Sequence, residues 1–241
     1  MTGAGTGIGR AVAQRLSAEG AALTLLARDR GRVEETAKTL EGPVQCLSCD
    51  IRDRGAVGEV FAQAAARLGA IHALVANAGI GGPNAPGPGD RFDDLVATNL
   101  LGTYNCVRAA ERHLAPGPAT RHIVVTSSIL ARIAVPGYTG YSASKAGLLG
   151  LVRSLAAELA PENVHVNAIC PGWVNTDMAW EGLDAAPGTR EEAHAEAMRD
   201  VPLRRMGEPH EIAGTVAWLL SDDARGVTGQ AIDHNNGAFM I

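Results

Sequence analysis

Short aliphatic runs alternate along this chain with longer stretches whose apolar residues recur at helical spacing, and no other feature constrains the fold as tightly. The strand-like runs are Ala22 to Ala27, Val44 to Ser48, Ala73 to Ala76, His122 to Ser127, Val164 to Ile169 and Ala231 to His234. The helical patterns are Ile8 to Glu19, Val33 to Leu40, Val57 to Leu68, Asp93 to His113, Ser142 to Leu159 and Pro209 to Leu219. Strand followed by helix, repeated, implies crossover connections. The expected class is therefore α/β, a Rossmann-type doubly wound parallel sheet with helices on both faces. Such sheets bind ligands at the carboxyl ends of their strands, where the strand order reverses. No internal repeat or interdomain linker is visible. A single domain over residues 1–241 is expected, with Gly79 to Gly89 and Ala179 to Asp200 as loops.

One feature conflicts with that fold. A dinucleotide-binding unit has a strand before its glycine-rich turn, yet the turn here begins at Thr2. The first strand is thus expected to be missing from this chain. A start upstream would supply it, with Met1 a valine codon (GTG) read as initiator, and an amino-terminal mass matching Met1 or Thr2 in an intact fold would refute that.

Thr2-Gly3-Ala4-Gly5-Thr6-Gly7-Ile8-Gly9 runs straight into a helical pattern. Glycines at 3, 7 and 9 permit a tight turn and close approach to a pyrophosphate seated on the helix amino terminus. The second expected strand ends at Ala27-Arg28, where an acidic residue would disfavour a 2′-phosphate. Ala27 instead leaves room and Arg28 offers a cationic fork, so NADP(H) is expected over NAD(H), which stays possible. Asp50 and Ile51 follow the next strand, where Asp50 can meet the adenine edge. Asn77-Ala78-Gly79 forms another loop at the same sheet edge.

Tyr141-Ser142-Ala143-Ser144-Lys145 opens a helix, and the four-residue step puts Tyr141 and Lys145 on one face. A tyrosine hydroxyl ordinarily has a pKa of about 10. A nearby ammonium favours its phenolate and makes it a usable acid and base. Only two of the 21 basic residues are lysine, Lys38 and Lys145, so a lysine at this spacing stands out. Ser128, thirteen residues before Tyr141, can hold a substrate oxygen as charge shifts onto it. Ser127 beside it is the structural alternative.

With these residues in view, the chain resembles the classical short-chain dehydrogenases/reductases over essentially its whole length. The resemblance implies that Thr2 to Gly9 form the cofactor turn and that Asn77-Ala78-Gly79 stabilises the sheet. It assigns Ser128, Tyr141 and Lys145 the catalytic serine, tyrosine and lysine roles. Asn99 matches the asparagine that holds a water in the proton relay. Pro171-Gly172 and Val174 to Thr176 match the loop that clasps the nicotinamide carboxamide. Ala76 departs from the pattern, since an asparagine is usual there. The region around 178–200 corresponds to a substrate lid, with Trp173, Met178 and Trp180 as candidate substrate contacts. Through the family's long helices, a homotetramer or dimer is implied.

Other features narrow the function. The formal net charge of −5, without a basic stripe, argues against nucleic acid. No apolar run is long enough to span a bilayer. Four cysteines without a secretion signal point to reduced thiols in the cytoplasm. Cys46 and Cys49 have redox or zinc spacing but lie on a strand expected to be buried, so they read as packing. The seven scattered histidines suggest no metal site. Arg132 and the pair Arg204-Arg205 are candidate contacts for a phosphopantetheine arm, against the plainer reading of solvated arginines.

Ile169 to Val174 and Tyr141 to Lys145 are most similar to 3-oxoacyl-carrier-protein reductases and polyketide ketoreductases. The resemblance implies NADPH-dependent reduction of a ketone, a β-keto thioester or polyketide-like carbonyl, free or carrier-bound. A secondary-alcohol dehydrogenase using NAD(P)+ is the alternative, and an inactive dinucleotide-binding sensor a remote one.

Overall fold

Among the described residues, six strands form where the β-branched and aliphatic runs lie, and all pair in parallel. They are β1 (Leu23–Ala27), β2 (Val44–Ser48), β3 (Ala73–Ala76), β4 (Arg121–Thr126), β5 (Val164–Pro171) and β6 (Ala231–His234). The computed structural model describes residues 1–185 and 187–240. Strand β1 pairs with β2, while β3, β4, β5 and β6 follow one another in a second set.

Between β1 and β3 lies the slot where a central strand was expected. Met1 and Thr2 occupy it. Thr2 bridges in parallel to Leu26 on one side and Ala76 on the other. Its N–H donates to the Val75 carbonyl at 2.9 Å, and the Met1 carbonyl accepts from Leu26 N at 2.9 Å. The buried Met1 ammonium donates to the Thr24 carbonyl at 2.7 Å, and desolvation lowers its pKa to about 6. Strand order runs outward in both directions from this slot, so the glycine-rich turn at residues 3–9 sits at the reversal point.

Helices α1 (Gly7–Ala18), α2 (Arg30–Ala37) and α9 (Pro209–Leu219) cover one face, and α3 (Arg54–Leu68), α5 (Thr103–Glu111) and α6 (Thr139–Leu159) the other. The strands serve both layers by their period of two. Val124 packs with Val12 and Ile212, whereas its neighbours Ile123 and Val125 pack with Val107 and Leu148. Strand β2 is only half-buried along its length, so the buried strand expected around Cys46 is in fact a sheet edge.

Two sequence expectations change. The pattern Asp93 to His113 is not one regular helix: α4 (Phe92–Val96) passes through a π-helical segment, Ala97–Gly102, before α5. The segment read as a loop from Ala179 to Asp200 instead begins within α7 (Asp177–Asp184), while the charged run Thr189 to Arg199, helix-like in the sequence, forms α8 (Arg190–Met198). Their apolar faces are short and form a small cluster of their own around Leu183, Met198, Val201 and Met206. Thr189 and Glu192 close a reciprocal capping box at the start of α8. Position 186, inside the expected lid, lies outside the described residues. No helix among the described residues is long and apolar enough to cross a membrane.

Candidate active site

The glycine-rich turn is shaped by contacts that admit no side chain. Gly3 has φ of 65°, and a Cβ there would stand 2.7 Å from Ala78 Cα. At Gly9 a Cβ would meet the Gly3 carbonyl oxygen at 1.9 Å. Asn77 locks the turn to the sheet: its Nδ2 donates to Gly3 O at 3.1 Å, and its Oδ1 accepts from Thr126 Oγ1 at 3.1 Å. Thr2 Oγ1 accepts from the N–H groups of Asn77 and Ala78.

From this turn a cleft of about 570 Å3 extends over the carboxyl ends of β1 and β2. Its walls include Gly3, Gly5, Thr6, Arg28, Asp50 and Ile51, and Ala78 and Gly79 close its inner end. Seven expected cofactor residues outside the nicotinamide loop thus share one cavity with Arg28. Arg32 also lines it. The sequence reading missed Arg32 because it belongs to the first turn of α2 and not to the strand end. Asp50 is held below the usual carboxylate range by Arg52, which grips it with side-chain and backbone hydrogen bonds.

The other group gathers where β4 and β5 end against α6. Lys145 is buried, and its Nζ donates to the Thr126 carbonyl at 2.8 Å. Nζ lies 5.7 Å from the centre of the Tyr141 ring. Burial lowers the Lys145 pKa to about 8. Burial also raises the Tyr141 pKa above its ordinary value, against which the Ser128 side chain pulls the other way. Lys145 Nζ is thus engaged by a carbonyl, and burial is the largest influence on Tyr141. Ser128 is the buried N-cap of a short 3-10 turn, its Oγ accepting from Leu130 N at 3.1 Å. Ser127 Oγ instead donates to the Lys145 carbonyl at 2.8 Å, which fastens α6 to β4.

Asn99 falls in the π-helical segment, and its side chain is fully engaged. Oδ1 accepts from Ile80 N at 2.8 Å, while Nδ2 donates to Ile80 O at 3.0 Å and to Ser144 Oγ at 3.1 Å. The side chain thus ties the loop after β3 to α6. Gly79 lies in that corner, where a Cβ would stand 3.0 Å from Asn99 Oδ1 and 3.4 Å from Lys145 Nζ.

The loop after β5 returns to the turn. A Cβ on Gly172 would meet Asn235 Cβ at 2.9 Å, and one on Gly7 would meet Thr176 Cγ2 at 3.0 Å. Val174 is buried and bridges to Gly207. Pro171, Gly172, Val174 and Thr176 therefore line the route from β5 to the start of α1. Met178 packs against Gly81, and Trp173 is exposed. Trp180 differs: its ring stacks on His194 at 5.6 Å, takes the Arg190 guanidinium at 5.0 Å, and its Nε1 donates to Asn175. Those contacts commit it to joining α7 to α8.

The other arginines considered above are also engaged. Arg132 pairs with Asp233, Arg204 donates to the Arg199 carbonyl, and Arg205 grips Glu211. No cluster of three or more potential metal ligands occurs among the described residues. The four thiols have raised pKa values, with burial the main cause.

Known proteins are similar to this chain in sequence and in fold. The family model described as Enoyl-(Acyl carrier protein) reductase matches residues 3–238. The 3-oxoacyl-[acyl-carrier-protein] reductase FabG of Staphylococcus aureus is 32% identical over 246 aligned positions, covering 100% of this chain and 97% of that protein. MabA of Mycobacterium bovis, with the same enzyme description, is 32% identical over 242 positions, covering 100% and 92%. A solved glucose/ribitol dehydrogenase from Brucella melitensis superposes with a TM-score of 0.90 at 31% identity, covering 100% and 95%. An actinorhodin polyketide ketoreductase with NADPH superposes at 0.87 and 32% identity, covering 98% and 95%. The chain belongs to the short-chain dehydrogenase/reductase family and is an oxidoreductase.

Proposed function

We propose that this protein reduces a ketone carbonyl with NADPH, its substrate a β-keto thioester or polyketide-like ketone, free or on an acyl carrier. The observation that carries the reading is that Tyr141 and the buried Lys145 lie together, with Ser128 beside Tyr141, while Gly79 of the glycine-lined cleft packs close to Lys145 Nζ.

The cleft fits a dinucleotide because Gly3, Gly7 and Gly9 let the turn pack against Ala78, Thr176 and its own backbone, which sets the start of α1 beside Gly3, Gly5 and Thr6 of the cleft wall. Arg28 and Arg32 at its outer end suit a 2′-phosphate, which favours NADP(H) over NAD(H). Bound there, a reduced nicotinamide supplies the hydride. Tyr141 donates the proton that the carbonyl oxygen needs, and Ser128 holds that oxygen by hydrogen bonding. Lys145 then returns a proton toward Tyr141, a task suited to an ammonium whose pKa stands at about 8. Asn99 serves by holding Ile80 and Ser144 in place.

Residues 1–241 act in this reading as one NAD(P)-binding domain with a lid around 178–200, where Met178 and Trp173 meet the substrate. The named relatives, which are acyl-carrier-protein reductases, support the thioester class. We also propose a cytoplasmic homotetramer or dimer, built on α5 and α6.

Absorbance at 340 nm tests the proposal, with NADPH or NADH against β-keto thioesters, cyclic ketones and a crotonyl thioester. NADPH consumption with a ketone, abolished by Tyr141→Phe, is the expected result. Arg28→Ala should raise the KM for NADPH by about 10- to 100-fold, the loss of a charged hydrogen bond, and spare NADH. Oxidation of secondary alcohols by NAD+, with no NADPH turnover, would transfer the assignment to the dehydrogenase reading, which the Brucella dehydrogenase likeness favours. NADPH binding without any turnover would revive the sensor.

A further inference from the structure

The helix that carries Tyr141 has no cap of its own. Tyr138 stands at the N-cap position of α6 and makes no side-chain capping bond. Tyr141 is the third residue of that helix, so any fraying of the first turn moves the proposed proton donor. The open N–H groups of a helix start require acceptors, and here the acceptor comes from another segment of the chain.

Asn84 lies in the Pro/Gly-rich loop between β3 and α4 and is only 7% exposed. Its Oδ1 accepts from Gly140 N at 2.8 Å and from Thr139 Oγ1 at 3.2 Å. Its Nδ2 donates to Thr139 Oγ1 at 3.0 Å and to Asp90 Oδ1 at 3.0 Å. Its own N–H donates to the Gly137 carbonyl at 2.8 Å. The same Asp90 oxygen accepts from Phe92 N at 2.9 Å, at the start of α4. One amide therefore joins the loop, the start of the tyrosine helix and the start of the helix leading to Asn99. Backbones also crowd here, since a Cβ on Gly140 would stand 3.0 Å from Phe92 Cα.

The chemistry explains the amide. An aspartate at 84 could accept from Gly140 but would face the Asp90 carboxylate without a proton to offer. An asparagine accepts on one side and donates on the other.

We infer that Asn84 is a positioning residue for the proposed reduction: it caps the tyrosine helix from the loop, so Tyr141 is held in register only while that loop is docked. The inference rests on the proposed role of Tyr141. A shift of about 1 Å in a reacting group costs about 100-fold in rate, and that is the scale expected.

The test compares the full-length protein with Asn84→Ala, Asn84→Asp and the double variant Asn84→Asp/Asp90→Asn. The double variant exchanges acceptor and donor, which restores the bond between positions 84 and 90 and keeps the acceptor for Gly140 N and the Thr139 hydroxyl, losing only the donation from position 84 to Thr139 Oγ1. Three quantities are read: kcat for ketone reduction at saturating NADPH, NADPH affinity by fluorescence, and amide hydrogen exchange over residues 139–145. Both single variants are expected to lose kcat by about 30- to 100-fold, with NADPH affinity nearly unchanged and faster exchange at the helix start. The double variant is expected to recover both kcat and slow exchange, which a generally destabilised fold would not do. If Asn84→Ala does not fold, Asn84→Asp against the double variant carries the comparison. Unchanged kcat and exchange in the single variants, or no recovery in the double, would overturn the inference. Should the unaltered protein reduce no ketone while exchange still follows the capping pattern, the reductase reading fails and the cap stands.

Discussion

Replacing Lys145 by methionine should make the protein inactive without making it less stable at neutral pH. The side chain is 5% exposed, and Nζ is hydrogen-bonded to Thr126 O at 2.8 Å. Burial brings its pKa from 10.5 to about 8. At about 1.4 kcal/mol per pH unit, keeping that proton costs the folded state about 3 kcal/mol. The sign follows from which state holds the proton. The folded pKa lies below the unfolded one, so below about pH 8 both states are charged and the full cost is present. As pH rises from about 8 toward 10.5, the folded protein releases the proton first and stability increases. Methionine removes that cost and leaves the Thr126 carbonyl unpartnered, a loss of about 1–3 kcal/mol. The variant should therefore stand between equal to the parent and about 2 kcal/mol above it near pH 7. Its advantage should shrink by about 1.4 kcal/mol per pH unit above about pH 8. Urea unfolding of both proteins, followed by tryptophan fluorescence from about pH 7 to pH 9.5, measures the difference and cancels the groups they share. A difference independent of pH would refute the reasoning.

Gly9→Ala should abolish dinucleotide binding and lower stability by about 3 kcal/mol or more, because its Cβ would overlap the Gly3 carbonyl. Gly58→Ala, inside α3 with no atom beyond the adjoining helix backbone within 4 Å of the new methyl, should instead stabilise by about 1 kcal/mol, and thermal unfolding of the pair checks both stabilities. His122 is 6% exposed beside His165, and burial lowers its pKa from 6.5 to about 4. Because the unfolded state takes up that proton first, about 3 kcal/mol of stability present above pH 6.5 should disappear as pH falls toward 4. His122→Leu should flatten that acid slope in urea unfolding, and an unchanged slope would assign it to other groups.

The alternation of strand and helix patterns is enough to set the α/β class, because periods of 2 and 3.6 are local properties of the chain. Strands β2, β3 and β6 and helix α9 match the sequence expectation to the residue. The glycine turn and the Tyr141–Lys145 step were legible for the same reason: their function depends on spacing within one segment. The charged run Thr189 to Arg199 was legible as helix-like and is α8, whereas α7 was read as loop, since its eight residues bury only Leu183.

What only the tertiary structure decided are the quantities that depend on who the neighbours are. Tyr141 and Lys145 are close in sequence, yet their proton affinities follow first from burial, and then from Ser128 beside Tyr141 and Cys170 near Lys145, which approach from other segments. Asn84 and Asn99 are ordinary polar residues in the sequence. Each acts on a segment brought near by the sheet, 55 residues along in one case and 45 in the other. Arg32 enters the cleft because α2 turns its first residues back over β1. Local patterning specifies which elements form, whereas desolvation and hydrogen-bond partnership arise when distant segments meet.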